Sequence, residues 1–367
     1  MIQERSYRVL NVIRSVDPRS GGTVEGLRQT ALAMSALGHR DEVVCLDDPG
    51  SPWLADFPLP VRALGPAHTA WGWSPRLVPW IRAHAGEFDA VVVHGIWQYT
   101  GIATLRALRG SRTPYFVWFH GMMDPWFKRE YPFKHLKKWL FWPWSDYRVA
   151  RDARAVLFTA TEEARLASRS FWLYSVRPRV IGYGLSDDPP SPPDARARFL
   201  QDFPALRGKR LVLFIARLHP KKGGELLVEA FARVAGQDPS LHLVMAGPDP
   251  NGHGRAWQAR AAALGVAERI TWTGLLQGDR KWGAFQAAEV FVLPSHQENF
   301  GVAVVEALAM RVPVLITTQV NIHREIVDAG AGLAEADTVD GTVTLLRRWL
   351  AMRAEARENM RDRAYRC

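Results

Sequence analysis

Two glutamates, Glu298 and Glu306, stand with seven residues between them in the stretch from Ser295 to Met310. Glu306 lies within Gly301 to Met310, otherwise so apolar that a helix made from it has no wet face. An ionised carboxylate there is costly unless something pairs with it. The flanking runs Ala288 to Pro294 and Val312 to Thr317 read as short buried strands, giving strand, polar loop, helix, strand. Loops leaving the carboxyl ends of parallel strands gather ligands, and the amides that open the following helix favour an anion. An inward carboxylate one to two turns further on adds a partner for a sugar hydroxyl. Together these suit a nucleotide sugar.

A basic loop, Ala216 to Gly224, follows another apolar strand and precedes a helix, so Arg217 and Lys222 stand at the carboxyl end of the same sheet. A solvated basic turn is the plain reading of such a loop. Placement beside the glutamate loop favours a diphosphate site, which needs several charge-assisted donors at once. Asp17 to Thr23 carries Gly21 and Gly22 between a first strand and a first helix, where backbone can approach phosphate or sugar. Gly247 ends another strand in the same manner. Neither turn is a three-glycine dinucleotide fingerprint, and each also fits an ordinary tight turn. His120 follows the strand Tyr115 to Phe119 and could bond a sugar hydroxyl or serve the structure alone; His94 ends a neighbouring strand and is the weaker candidate. No histidine has partners at a metal-binding spacing, so no metal site is expected.

The stretch from Trp126 to Trp144 is the compositional outlier, with Trp126, Trp139 and Trp142 interleaved with Lys134, Lys137 and Lys138. Tryptophan with lysine is an interfacial mixture, expected of a helix in a lipid headgroup region or of a face for a phosphate-bearing acceptor lipid. A core of aromatics under a solvated lysine face is the alternative.

These candidates need a scaffold of alternating strands and helices. In the first half the strand runs are Arg8 to Val16, Glu42 to Leu46, Phe88 to Val93, Tyr115 to Phe119, Ala155 to Thr159 and Arg179 to Ile181, with a helix pattern over Val24 to Leu37. In the second half they are Arg210 to Ala216, Leu241 to Ala246 and Arg269 to Thr273, with helices over Gly224 to Ala235 and Ala256 to Leu264. The fold class is therefore α/β, with parallel sheets wrapped by helices. A proline-rich tract beginning at Leu185 reads as a linker over 185–200, between an N-terminal domain of 1–184 and a C-terminal domain of 201–367. Two such domains predict a cleft with a hinge. The two cysteines supply no disulfide framework, no apolar run is long enough to cross a bilayer, and no secretory signal opens the chain. A cytoplasmic protein is expected, peripheral at the inner face of the cell membrane. The net charge of +10 calls for an anionic partner. No nucleic-acid recognition motif accompanies it, so nucleic acid is not the expected one.

With these pieces together, the chain resembles the retaining glycosyltransferases of family 4, which have the GT-B fold of two Rossmann-like domains. Glu298 and Glu306 match the family's two-glutamate motif, Arg217 with Lys222-Gly223 its basic phosphate motif, and Ser20-Gly21-Gly22 its N-terminal glycine loop. The resemblance implies that Arg217 and Lys222 hold the donor diphosphate and Glu306 the ribose. Glu298 with the amides of Asn299, Phe300 and Gly301 is implied to hold the sugar, Gly22 to approach the phosphate, and His120 to touch the sugar. It implies no cofactor and no metal, the nucleoside diphosphate sugar being the co-substrate and a lipid-linked saccharide the expected acceptor, in exopolysaccharide or cell-surface polysaccharide assembly. The alternative is a GT-B protein that binds saccharide or membrane without turnover. Two departures stand out: Ile181 to Gly184 replaces the usual Pro-Asn-Gly, and Arg311 occupies a common glycine position. The chain ends near where the family's last helix would cross back, which predicts looser coupling between domains.

Overall fold

A computed structural model describes residues 5–182 and 192–367. Tyr183, Gly184 and the proline-rich tract over 185–191 lie outside the described residues. The chain divides into two compact units, Met1–Ser186 and Asp187–Cys367.

The first unit is built on β1 (Arg8–Val12), β2 (Arg40–Cys45), β3 (Val61–Ala63), β4 (Ala90–His94), β5 (Tyr115–Trp118), β6 (Ala155–Phe158) and β7 (Pro178–Val180). Every pairing is parallel, in the order β3-β2-β1-β4-β5-β6-β7. Its helices are α1 (Gly22–Ala36), α2 (Leu77–His84), α3 (Tyr99–Leu108), α4 (Trp126–Glu130), α5 (Pro132–Phe141), α6 (Asp146–Asp152) and α7 (Thr161–Ala167). β1 is shorter than the sequence predicts because the Val16 amide turns away to the Asp47 carboxylate, at 2.9 Å. The lysine-rich stretch breaks into two helices at Pro132, whose ring starts α5 but has no N–H to continue α4.

The second unit is built on β8 (Arg210–Ile215), β9 (Leu241–Ala246), β10 (Ile270–Gly274), β11 (Val290–Leu293), β12 (Val314–Thr317) and β13 (Gly332–Glu335), parallel throughout in the order β10-β9-β8-β11-β12-β13. Around it run α8 (Ala195–Asp202), α9 (Gly224–Val234), α10 (His253–Ala263), α11 (Gly278–Ala287), α12 (Val302–Ala309), α13 (His323–Asp328), α14 (Val339–Ala351) and α15 (Ala354–Arg366). Strands such as Leu241–Ala246 are buried along their whole length, as a parallel sheet covered on both faces requires. Helix α8 starts within the stretch the sequence reads as linker, because Ala195 and Phe199 are buried against α11 at Gly283. In each unit the strand order reverses at one place, between β1 and β4 and between β8 and β11. Ligands gather at such switch points, outside the carboxyl ends of the strands.

Candidate functional site

In the second unit the loops after β8 and β11 flank the switch point, and they carry the residues the sequence singles out. Gly223 joins them closely: at φ +66° its α-carbon faces the Pro294 carbonyl, and any side chain there would collide with that backbone. The His296 amide bonds the Lys221 carbonyl at 2.9 Å, stitching the same two loops. The Lys222 ammonium consequently meets the Glu298 carboxylate directly, with side chains 15% and 16% exposed. Burial raises the Glu298 pKa, but the Lys222 and Lys221 charges, the bond from Lys222 and the Asn299 amide together hold it below the usual carboxylate range. Glu298 is also gripped through its backbone, by Gln319 and Asn321 at 3.0 Å each.

Glu306 is buried on α12, and its counter-charge is Lys281 of α11, whose ammonium lies 2.7 Å from Oε1 and also over the Trp282 ring at 4.5 Å. This is the partner that the apolar setting of Glu306 demands, and sequence reasoning did not find it. Nor did it find His296. Its ring bridges Glu225 at 3.4 Å and Asp337 at 2.9 Å, and the bond to Glu225 leads the effects that push its pKa up to about 9.

Arg217 lies two residues beyond the end of β8 and is exposed, and among the described residues it forms no salt bridge. Gly247, at the end of β9, lies so close to the Ala216 carbonyl that a side chain would overlap it. Asn299 is tied to Asn321 at 3.3 Å, Phe300 is half-buried, and Gly301 caps α12. Lys222, Glu298, Asn299, Phe300 and Gly301 are thus brought together, Arg217 and Gly247 stand at the neighbouring strand ends, and Glu306 is on the helix that follows.

In the first unit His120 and His94 sit at the ends of β5 and β4, which are neighbours, and their rings stack with His94 Nδ1 3.0 Å from His120 Nε2. His94 Nε2 lies 2.9 Å from Asn11 Oδ1, and Asn11 Nδ2 donates to Asp41 at 2.7 Å. The amide orientation sets the protons: Asn11 accepts from His94 Nε2–H, His94 Nδ1 accepts from His120 Nε2–H, and the His120 lone pair is on Nδ1. His94 is buried and His120 half-buried, and desolvation holds both rings neutral, with His94 pushed down to about 3. His120 has a left-handed backbone at φ 51°, pinned at Gly121, whose amide donates to the buried Glu163 at 2.6 Å. Gly21 and Gly22 form the open start of α1, with nothing crowding either glycine.

The tryptophan-lysine stretch divides by face. Trp139 is 41% exposed, Lys134 and Lys137 are exposed, and Trp126 is half-buried. Trp142 corrects the interfacial expectation: it is fully buried, and its indole N–H donates to the Leu173 carbonyl at 2.6 Å. The corner between α5 and α6 turns it into the core, where it stacks on Phe171. Among the described residues no helix is long and apolar enough to cross a membrane.

Two doubly wound parallel units, one carrying a basic loop and a two-glutamate loop at its switch point, define the GT-B class. The descriptions "Glycosyl transferase 4-like domain" and "Glycosyl transferases group 1" match residues 21–184 and 196–366, and the chain belongs to this family 4 of glycosyltransferases. The D-inositol 3-phosphate glycosyltransferase of Nocardia farcinica is 28% identical over 193 residues, 51% of this chain and 43% of that protein. The alpha-D-kanosaminyltransferase of Streptomyces kanamyceticus is 26% identical over 191 residues, 52% of this chain and 49% of that protein. The chain therefore spans less than half the length of these curated relatives. Among solved structures, Anabaena HepE in complex with UDP and glucose has a TM-score of 0.76 at 18% identity, covering 98% of this chain and 94% of that one. A glycosyltransferase from Rickettsia africae matches at 0.76 and 16%, covering 98% and 93%. These two likenesses show the fold.

Proposed function

We propose that this protein transfers a sugar from a nucleoside diphosphate sugar to a lipid-linked saccharide, keeping the anomeric configuration, in polysaccharide assembly at the inner face of the cell membrane. One observation carries the reading: the Lys222–Glu298 pair at the switch point, followed on the next helix by Glu306 buried against Lys281. Lys222 and Arg217 are assigned the donor diphosphate, to which the opening amides of α12 add further donors. Glu306, paired with Lys281, is assigned the ribose hydroxyls. Glu298 and the adjoining Asn299 and Phe300 are assigned the sugar, and His120 is assigned a sugar hydroxyl.

The bond that breaks joins the anomeric carbon to the diphosphate oxygen, and negative charge grows on that oxygen. Arg217, Lys222 and the helix amides stabilise it most at the transition state, which is where stabilisation raises the rate. The acceptor hydroxyl enters on the same face, its proton passing to the departing phosphate oxygen. The exposed tryptophan and lysine side chains of α5 support a peripheral membrane location. The HepE complexes with UDP and with UDP-glucose support a uracil nucleotide as the first donor to try.

Nuclear magnetic resonance of the product formed from an α-linked donor tests the stereochemistry. An α-linked product, formed at a rate unchanged within about twofold by a chelator, is expected; a β-linked product overturns retention, and abolition by the chelator overturns metal independence.

A further inference from the structure

Helix α5 presents large apolar side chains to solvent. Phe133, Leu136 and Leu140, spaced to share one side of the helix, are 88%, 58% and 61% exposed. The opposite side carries the exposed Lys134 and the half-buried Lys138, and both line a cavity of about 280 Å³. That volume approaches the lower end of small-molecule pockets, about 300 Å³. Trp97, Phe127, Tyr131 and Met122, two residues beyond His120, also line it, and so does Asp124, whose carboxylate accepts from the Trp126 amide at 2.8 Å.

Lys138 is the informative residue. It is half-buried, and its ammonium lies 4.7 Å from the Trp97 ring centre and 5.7 Å from that of Phe127. Among the described residues it forms no salt bridge. Burial is the main influence lowering its pKa, and the acidic group acting on it is the buried Asp146, whose carboxylate already accepts from the Trp97 amide at 2.9 Å. An ammonium removed from water and facing a cavity is best compensated by an anion entering that cavity. Aromatic rings beside it offer stacking surface for a sugar or an isoprenoid. The apolar outer side of the same helix, continued by Phe141 and Trp144, fits the acyl boundary of a bilayer. Cation inward and hydrocarbon outward complement one molecule: a long apolar chain with a phosphate at its end.

We propose that this cavity is a binding site for the phosphate or diphosphate of an amphiphilic lipid, held by Lys138 and Lys134 and flanked by Trp97, Phe127 and Tyr131. The inference deepens the acceptor assignment above and rests on it. The cavity anchors the reducing-end phosphate of the acceptor, while the outer side of α5 lies on the bilayer from which that lipid comes.

Calorimetric titration of the full chain with farnesyl diphosphate, farnesol and inorganic pyrophosphate tests it. Saturable one-to-one binding of farnesyl diphosphate is expected, at least tenfold tighter than either fragment. Lys138→Gln and the cavity-filling Met122→Trp should each weaken it tenfold or more, with the melting temperature and nucleoside diphosphate binding retained. Sedimentation with phosphatidylcholine–phosphatidylglycerol vesicles separates the membrane contribution: Lys138→Gln should change it less than twofold, and the double substitution Phe133→Ser, Leu140→Ser should reduce it severalfold. Equal binding of farnesyl diphosphate by wild type and Lys138→Gln, or pyrophosphate binding as tightly as farnesyl diphosphate, overturns the proposal. So does a failure of the wild type to bind farnesyl diphosphate while it still binds a nucleoside diphosphate, and that outcome leaves the donor assignment standing. Loss of nucleoside diphosphate binding alone counts against the donor assignment.

Discussion

His94 Nδ1 lies 3.0 Å from His120 Nε2, and this bond is the inner end of a chain that runs through Asn11 to Asp41. The chain dictates one tautomer at each ring, so the role of His94 is to hold His120 with its lone pair on Nδ1. His94→Phe should lower kcat by about 10- to 100-fold, because a small misplacement of a contacting group is expensive at the transition state. KM for the nucleotide sugar should stay within about threefold. Steady-state kinetics over a pH series checks this, and a loss confined to KM contradicts it.

Glu306 and Lys281 form a buried pair, with side chains 11% and 24% exposed. Lys281→Met leaves the carboxylate without its counter-charge and should destabilise the second unit by about 3 kcal/mol. Adding Glu306→Gln to that variant should restore much of the stability but not nucleotide binding. Urea unfolding of the two variants, compared with wild type, measures both effects.

Stability should respond to pH in opposite senses in the two units. His94 is lowered from 6.5 to about 3, so the unfolded chain binds its proton first and stability is lost as pH falls below about 6.5. His296 is raised from 6.5 to about 9, so its contribution is complete below about 6.5 and is lost as pH rises towards 9. His296→Gln should remove about 1–2 kcal/mol near pH 6 and little at pH 9, after allowance for solvent screening. Calorimetric scans from pH 5 to 9 (about the range over which histidine titrates) should show the wild type and variant curves converging at the alkaline end.

Arg311 adopts a left-handed backbone at φ 59°, with its guanidinium 5.3 Å from the Tyr365 ring centre on α15. The conformation explains why glycine is common there, and the ring contact explains how arginine is tolerated. Arg311→Ala keeps the strain and loses the contact, whereas Arg311→Gly loses both. The glycine variant should therefore be the more stable of the two by about 1 kcal/mol, which thermal unfolding resolves.

The two loops at the second unit's switch point were legible because they break local rules: a carboxylate in an apolar helix and a cluster of cations between strand and helix both demand a partner. The strand alternation likewise revealed both parallel sheets, since buried parallel strands are nearly continuous apolar runs. Lys281 was not legible, because it stands among polar residues of α11 and its partner is brought to it only by packing. His94 was ranked below His120, yet pairing of β4 with β5 makes the two rings one device. Trp142 misled because its neighbours are lysines. Composition reports the average of a helix, while the face that each side chain takes is decided by the turn that follows it.

The most direct measurement is acceptor-dependent release of nucleoside diphosphate by purified protein, across a panel of nucleotide sugars with membrane lipid extract as acceptor, for wild type, Lys222→Ala and Glu306→Ala. Release from one donor, dependent on the extract and reduced at least 100-fold (on the order of 3 kcal/mol) in both variants while they remain folded, is the predicted result. Absence of turnover with every donor, or turnover unaffected by the two substitutions, would contradict a glycosyltransferase site at the Lys222–Glu298 switch point.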